Sequence, residues 1–248
     1  ESDISRVVIT GGEPLLVDQI GDLVLQLSRN DRASSILTNG LLLKAKQARQ
    51  LRDAGLSSMV LSLHSRNEEL QDQIAGQQGA MKRILAAMRL CVDEGVKFSI
   101  STVILPWNEL QIGEVIDFVF DHHASSISLN SFLPYPGAPR ELWEWITNWD
   151  PGRVDEIIRQ KRLTYGQGRI KTSGLLPVSK NLTCPAGKSF FGISEEGAWC
   201  PCLPVAEIGA QKRAPGAEFE SLYPSTESTE HQHSCPLLAN TRSRLLYS

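Results

Sequence analysis

Apolar positions recur along this chain in two alternating rhythms: short β-branched runs, and longer segments in which they return every three or four residues. RVVIT (6–10) reads as a buried strand and leads into an amphipathic helix over 15–29, whose stripe is Leu16, Ile20, Leu23, Val24 and Leu27. SSILTNG (34–40) is a second strand, followed by a helix over 41–55 that Gly55 closes. SSMVLSLHS (57–65) is a third; a loop and a helix over 79–95, ended by Gly95, come next. VKFSISTVIL (96–105) and SSISLNSFLPYPG (125–137) flank a helix over 109–123. This is the rhythm of βα units in a parallel sheet, without internal sequence repeats. A Trp-rich segment (141–149) and one more helix (150–168) follow, and from Arg169 helical periodicity stops. The pattern divides the chain into a barrel-like part, 1–168, and a cysteine-rich tail, 169–248, with a long polar loop.

Composition narrows the partners. With 248 residues, 41% hydrophobic and 21% charged, the chain suits a globular barrel plus an appendage. A net charge of −3 and the lack of a Lys/Arg-rich run give no footprint for nucleic acid or an anionic membrane. No stretch approaches the roughly 18 apolar residues of a membrane span, and no signal-peptide pattern opens the chain. A cytoplasmic protein whose partner is a small molecule or a protein is expected. The chain opens with Glu1 close before its first strand, which reads as a fragment.

The strands end in polar residues: Thr10 with Gly11, Gly12 and Glu13; Thr38 with Asn39 and Gly40; Ser62 with His64 and Ser65; Ser101 with Thr102; Asn130 with Ser131. Carboxyl ends of parallel strands converge on one cavity. In TGGEPLL (10–16) the glycines expose main chain to a ligand, Pro14 suits a first helical turn, and Glu13 suits a cation. His64 reads either as a ligand contact or as a satisfied core group. His122 and His123 are expected on the carbonyls at a helix end, and Cys91 as a buried thiol.

TGGEPLL, LTNG and LSLHS, in order at three successive strand ends, resemble the radical S-adenosylmethionine enzymes. The resemblance implies a partial (β/α)6 TIM-like barrel lacking its first βα unit. It implies that Gly11, Gly12, Glu13 and Pro14 bind the ammonium of the methionine moiety. Asn39 belongs to the same strand-end set, Ser62 and Ser101 face ribose and carboxylate, His64 touches ribose or substrate, and backbone around Leu133 contacts adenine. It implies S-adenosylmethionine and a catalytic [4Fe-4S] cluster as cofactors, an electron donor such as a flavodoxin or ferredoxin, and a 5'-deoxyadenosyl radical that abstracts hydrogen. The family's C-x3-C-x2-C cluster motif is absent from this chain and is expected upstream of Glu1.

Cys184, twelve residues, Gly197, four residues and Cys202 fit the signature of the SPASM and Twitch auxiliary-cluster regions of that family, with EEG (195–197) as a hairpin turn. Cys184, Cys200, Cys202 and Cys235 would hold one auxiliary iron-sulfur cluster, since thiolates suit soft metal centres. Zinc on Cys200, Cys202, His231, His233 and Cys235 is the rival. The expected function is radical modification of a peptide or protein, or enzyme maturation. Small-molecule cofactor or antibiotic synthesis is an alternative, and so is a degenerate, non-catalytic barrel with structural zinc.

Overall fold

The structure, a computed structural model, describes residues 4–132, 138–173, 191–194 and 197–200. Six strands form one parallel sheet in chain order: β1 (Arg6–Ile9), β2 (Ala33–Thr38), β3 (Ser58–Ser62), β4 (Phe98–Ile104), β5 (Ile127–Ser131) and β6 (Ile170–Ser173). The sheet curls into a half-barrel. The intervening helices are α1 (Ile20–Arg29), α2 (Ala45–Asp53), α3 (Glu68–Ala75), α4 (Ala80–Asp93), α5 (Ile112–Asp121), α6 (Arg140–Asn148) and α7 (Gly152–Tyr165). Five strands lie where the pattern predicts them. The sixth does not: IKTS holds a single apolar residue, Ile170, so no apolar run marks it, and it is held by pairing with β5 through Ile127↔Ile170.

Two helices also depart from expectation. The helix predicted over 15–29 starts only at Ile20, because Pro14–Leu16 form a 3-10 turn capped by the Glu13 side chain. That turn leaves Leu16 69% exposed rather than on the core stripe. Helix α3 stands in what reads as a loop. EELQDQIA is too poor in apolar residues to show a stripe, and its ends define it instead: Asn67 accepts a hydrogen bond from the Leu70 N–H at 2.9 Å, and Gly76 takes a left-handed φ of +64°.

Strand alternation sorts the two faces of the sheet. On β3, Met59, Leu61 and Leu63 are fully buried and join the core with Ile84 and Met88 of α4, while Ser58, Val60, Ser62 and His64 face the other, concave side. On β4, Ile100 and Ile104 are buried, and Ser99, Ser101 and Val103 alternate with them. The core therefore lies between sheet and helices, and the concave face is left to polar chemistry. Cys91 is fully buried against Met59, as expected, and burial pushes its thiol pKa up to about 12.

Contacts divide the chain into Glu1–Leu175 and Leu176–Ser248. In the second unit the described residues form an antiparallel hairpin of β7 (Gly192–Ile193) and β8 (Trp199–Cys200), with Gly197 at φ +78°, as the EEG turn predicts. Among the described residues no helix is long and apolar enough to cross a membrane.

Candidate functional site

The first cluster of site residues hangs from β1 and β2. After Ile9 the chain turns through Gly11, whose φ of +140° excludes most side chains, and Gly12. Glu13 then folds back on its neighbours. Its Oε1 accepts from the Thr38 hydroxyl at 2.5 Å and the Leu15 N–H at 3.0 Å, and its Oε2 accepts from the Asn39 N–H at 3.0 Å. A carboxylate has about four lone-pair sites, so among the described residues one position on Oε2 is left for a ligand donor. Asn39 itself is exposed, and its Oδ1 receives the Leu41 N–H at 2.9 Å. Gly40, at φ +74°, packs so close to Leu61 that a Cβ would come within 3.1 Å of it. Glu13 is thus both a ligand candidate and the clasp between two strand ends, a second role that the sequence alone does not disclose.

The second cluster hangs from β3, β4 and β5. Ser62 and Ser101 are register partners on the concave face, and the Ser101 hydroxyl accepts from Asn130 Nδ2 at 3.1 Å. His64 follows Ser62 two residues on. The Val103 N–H donates to its Nδ1 at 3.1 Å, which makes Nδ1 the acceptor and leaves the proton on Nε2. Burial lowers the pKa of His64 to about 4, so the ring is neutral at physiological pH. Its backbone is pinned as firmly. Gln71 Oε1 accepts from the N–H groups of His64 and Ser65 at 2.8 and 3.1 Å, and Asn108 Nδ2 donates to the carbonyls of His64 and Val103 at 2.9 and 2.8 Å. Asn108 Oδ1 also accepts from Leu105 N–H at 2.8 Å. Sequence reading passed over Gln71 and Asn108. The signal available was an Asn in a proline-containing loop, LPWNE (105–109), where an Asx turn is common.

His64 lines a cavity of about 400 Å³ with Val103, Leu105, Trp107, Phe132 and Leu142. Its wall is mostly apolar, with His64 and Gln73 as the polar groups. Leu133, Cys184, Cys202 and Cys235 lie outside the described residues. Cys200 is buried at the end of β8. Among the described residues no group of three His, Cys, Asp or Glu side chains stands ready to hold a metal ion. As predicted for a helix end, His122 Nδ1 lies 2.8 Å from the Phe118 carbonyl.

A βα half-barrel that gathers polar groups at the carboxyl ends of its strands defines a class of ligand-binding α/β proteins. Residues 1–119 match the model of the Radical SAM superfamily. It is 27% identical over 201 residues to a GTP 3',8-cyclase of Clostridium perfringens, covering 80% of this chain and 59% of that protein. It is 24% identical over 232 residues to the PqqA peptide cyclase of Bradyrhizobium diazoefficiens, covering 90% and 58%. The fold matches Streptococcus suis SuiB bound to S-adenosylmethionine with a TM-score of 0.69 at 18% identity, over 96% of this chain and 56% of that one. The chain thus spans somewhat over half the length of these relatives. Members of the superfamily use S-adenosylmethionine and a [4Fe-4S] cluster.

The residues present fit one of these groups and not the other. The exposed Gly11–Gly12 main chain and the open position on Glu13 suit an ammonium, and the apolar cavity with its neutral His64 suits a nucleoside. The catalytic cluster finds no C-x3-C-x2-C ligands in this chain, and Cys91 is fully buried with its thiol held protonated.

Proposed function

We propose that this chain is the cofactor-binding part of a radical S-adenosylmethionine enzyme. Bound S-adenosylmethionine supplies hydrogen-atom abstraction from a substrate. The residues of this chain position it: Gly11, Gly12, Glu13 and Pro14 receive the methionine ammonium, with Asn39 beside them. Ser62 and Ser101 face the ribose and carboxylate, His64 stands at the cavity, and backbone at Leu133 meets adenine. The protein's contribution is to hold the reacting groups in line and to keep water out. The observation that carries this reading is the clasp of Glu13 onto Thr38 and Asn39, which presents the glycine turn at a strand end.

The substrate is a peptide or protein on the side of the PqqA peptide cyclase relative, and a small molecule on the side of the GTP 3',8-cyclase relatives. The tail cysteines, Cys184, Cys200, Cys202 and Cys235, are proposed to hold an auxiliary iron-sulfur cluster, with a flavodoxin or ferredoxin as electron donor in the cytoplasm. The test of the pocket is calorimetry with S-adenosylmethionine. Glu13→Gln replaces a charged acceptor and sets an NH2 or a neutral oxygen against the Asn39 N–H and the Thr38 hydroxyl. Affinity should fall about tenfold or more. Unchanged affinity overturns the assignment.

A further inference from the structure

Residue 64 carries four polar atoms, and the fold commits three of them. Its N–H goes to Gln71, its carbonyl to Asn108 and its Nδ1 to the Val103 N–H. Nε2 has no partner among the described residues. A backbone N–H can only donate, so the tautomer is imposed by β4 and not by any ligand. Gln71 and Asn108, 1% and 0% exposed, pin the main chain of residue 64, and turning the ring itself would break the Val103 N–H bond to Nδ1 and leave that donor unpaired. What residue 64 brings to the cavity wall is therefore one N–H donor, set among Ile74, Val103, Leu105 and Trp107, with the Gln73 amide as the other polar group. Among the described residues no carboxylate and no cationic side chain lines that cavity. An N–H left without a partner in such a wall weakens binding of any ligand that fails to meet it.

We propose that His64 is a specificity-determining donor: its Nε2–H reads an uncharged acceptor on the bound ligand, a hydroxyl or ether oxygen or a ring nitrogen, and discriminates against a ligand that presents an amine or ammonium there. This rests on the cavity belonging to the S-adenosylmethionine site. A carboxylate at the same place would impose the opposite polarity, accepting from a ligand hydroxyl. The two polarities are separable by substitution.

The experiment is calorimetry of S-adenosylhomocysteine, an unreactive probe, binding to the chain and to three variants. His64→Gln keeps an N–H donor at the same reach and should bind within about threefold of the parent, His64→Phe keeps the ring without the donor and should lose about five- to tenfold, and His64→Glu should lose at least as much. Long-range ¹H–¹⁵N spectra of the imidazole should show the Nε2-protonated form in the free protein, with that proton's signal moving when the probe is added. A purely structural role would leave it unmoved. A glutamate variant that binds as tightly as the parent, or an Nδ1-protonated ring, overturns the proposal. Where the phenylalanine variant fails to fold, the glutamine and glutamate variants, equal in shape and opposite in polarity, decide. A parent protein that binds no probe at all overturns the cofactor reading and the proposal with it. Tight parent binding with all three variants unaffected overturns the donor role alone.

Discussion

The two halves of the strand-end face hold their polar groups by opposite means. At β1 and β2 a half-buried carboxylate gathers N–H and O–H donors from a loop that stays open to water. At β3 and β4 a neutral imidazole and two buried amides do the work, and no charge is involved. A charge is tolerable at the first place because water and three donors surround it; at the second, burial would penalise it. In the proposed site this difference suits the halves to different ends of one ligand, the charged end toward Glu13 and the uncharged end toward His64. It also makes the halves respond differently to substitution and to pH.

The largest effect is expected at Asn108. Its removal in Asn108→Ala breaks three hydrogen bonds and leaves the carbonyls of His64 and Val103 and the Leu105 N–H unpaired in a buried place. Stability should fall by about 3–4 kcal/mol, read by urea unfolding. Asn108→Asp keeps the acceptor but faces both carbonyls with oxygen, and should be no better. A loss under about 1 kcal/mol in either variant would show that the β3–β4 end is not held by this residue.

The next effect is a pH dependence confined to the neutral half. The pKa of His64 in the native protein is about 4, below the ordinary 6.5. Between those values the unfolded chain binds a proton that the native protein refuses, so stability falls as pH drops through that window. The difference reaches about 2–3 kcal/mol by pH 4, at roughly 1.4 kcal/mol per pH unit. His64→Gln should lack this component, so unfolding curves of parent and variant should converge toward acid. Curves that stay parallel from pH 7 to pH 4 would mean that His64 is not held neutral.

How much of this was legible in the sequence differs between the halves in the same way. Glycines, a proline and a lone carboxylate mark the β1 turn at once, because each has a distinctive backbone or charge requirement. Strands β1 to β5 and most helices follow from apolar periodicity. Gln71 and Asn108 carry no such mark: an amide is equally at home on a solvated helix face or in a loop, and only the fold shows that these two are buried. Helix α3 and strand β6 escaped for the related reason that caps and pairing, not an apolar stripe, define them. The polarity of His64 was also illegible, since the tautomer is set by a strand 39 positions away.

The smallest effect separates the clasp of Glu13 from its proposed ligand role. The Thr38 hydroxyl donates to Glu13 Oε1 at 2.5 Å and accepts from the Gly40 N–H at 3.0 Å. Thr38→Val keeps the shape of the side chain and loses both bonds. Glu13 retains the Leu15 and Asn39 N–H groups and has access to water, so the loss should be only about 1 kcal/mol, most of it from the buried Gly40 N–H left unpaired. Thr38→Ser, which restores the hydroxyl, should recover it. Because Thr38 shares no hydrogen-bond partner with Asn108 or His64, its effect should add to theirs within about 0.3–0.5 kcal/mol in the double variants Thr38→Val/Asn108→Ala and Thr38→Val/His64→Gln. A larger coupling would show that the charged and neutral halves form one network, and the contrast between them would then describe two ends of a single device.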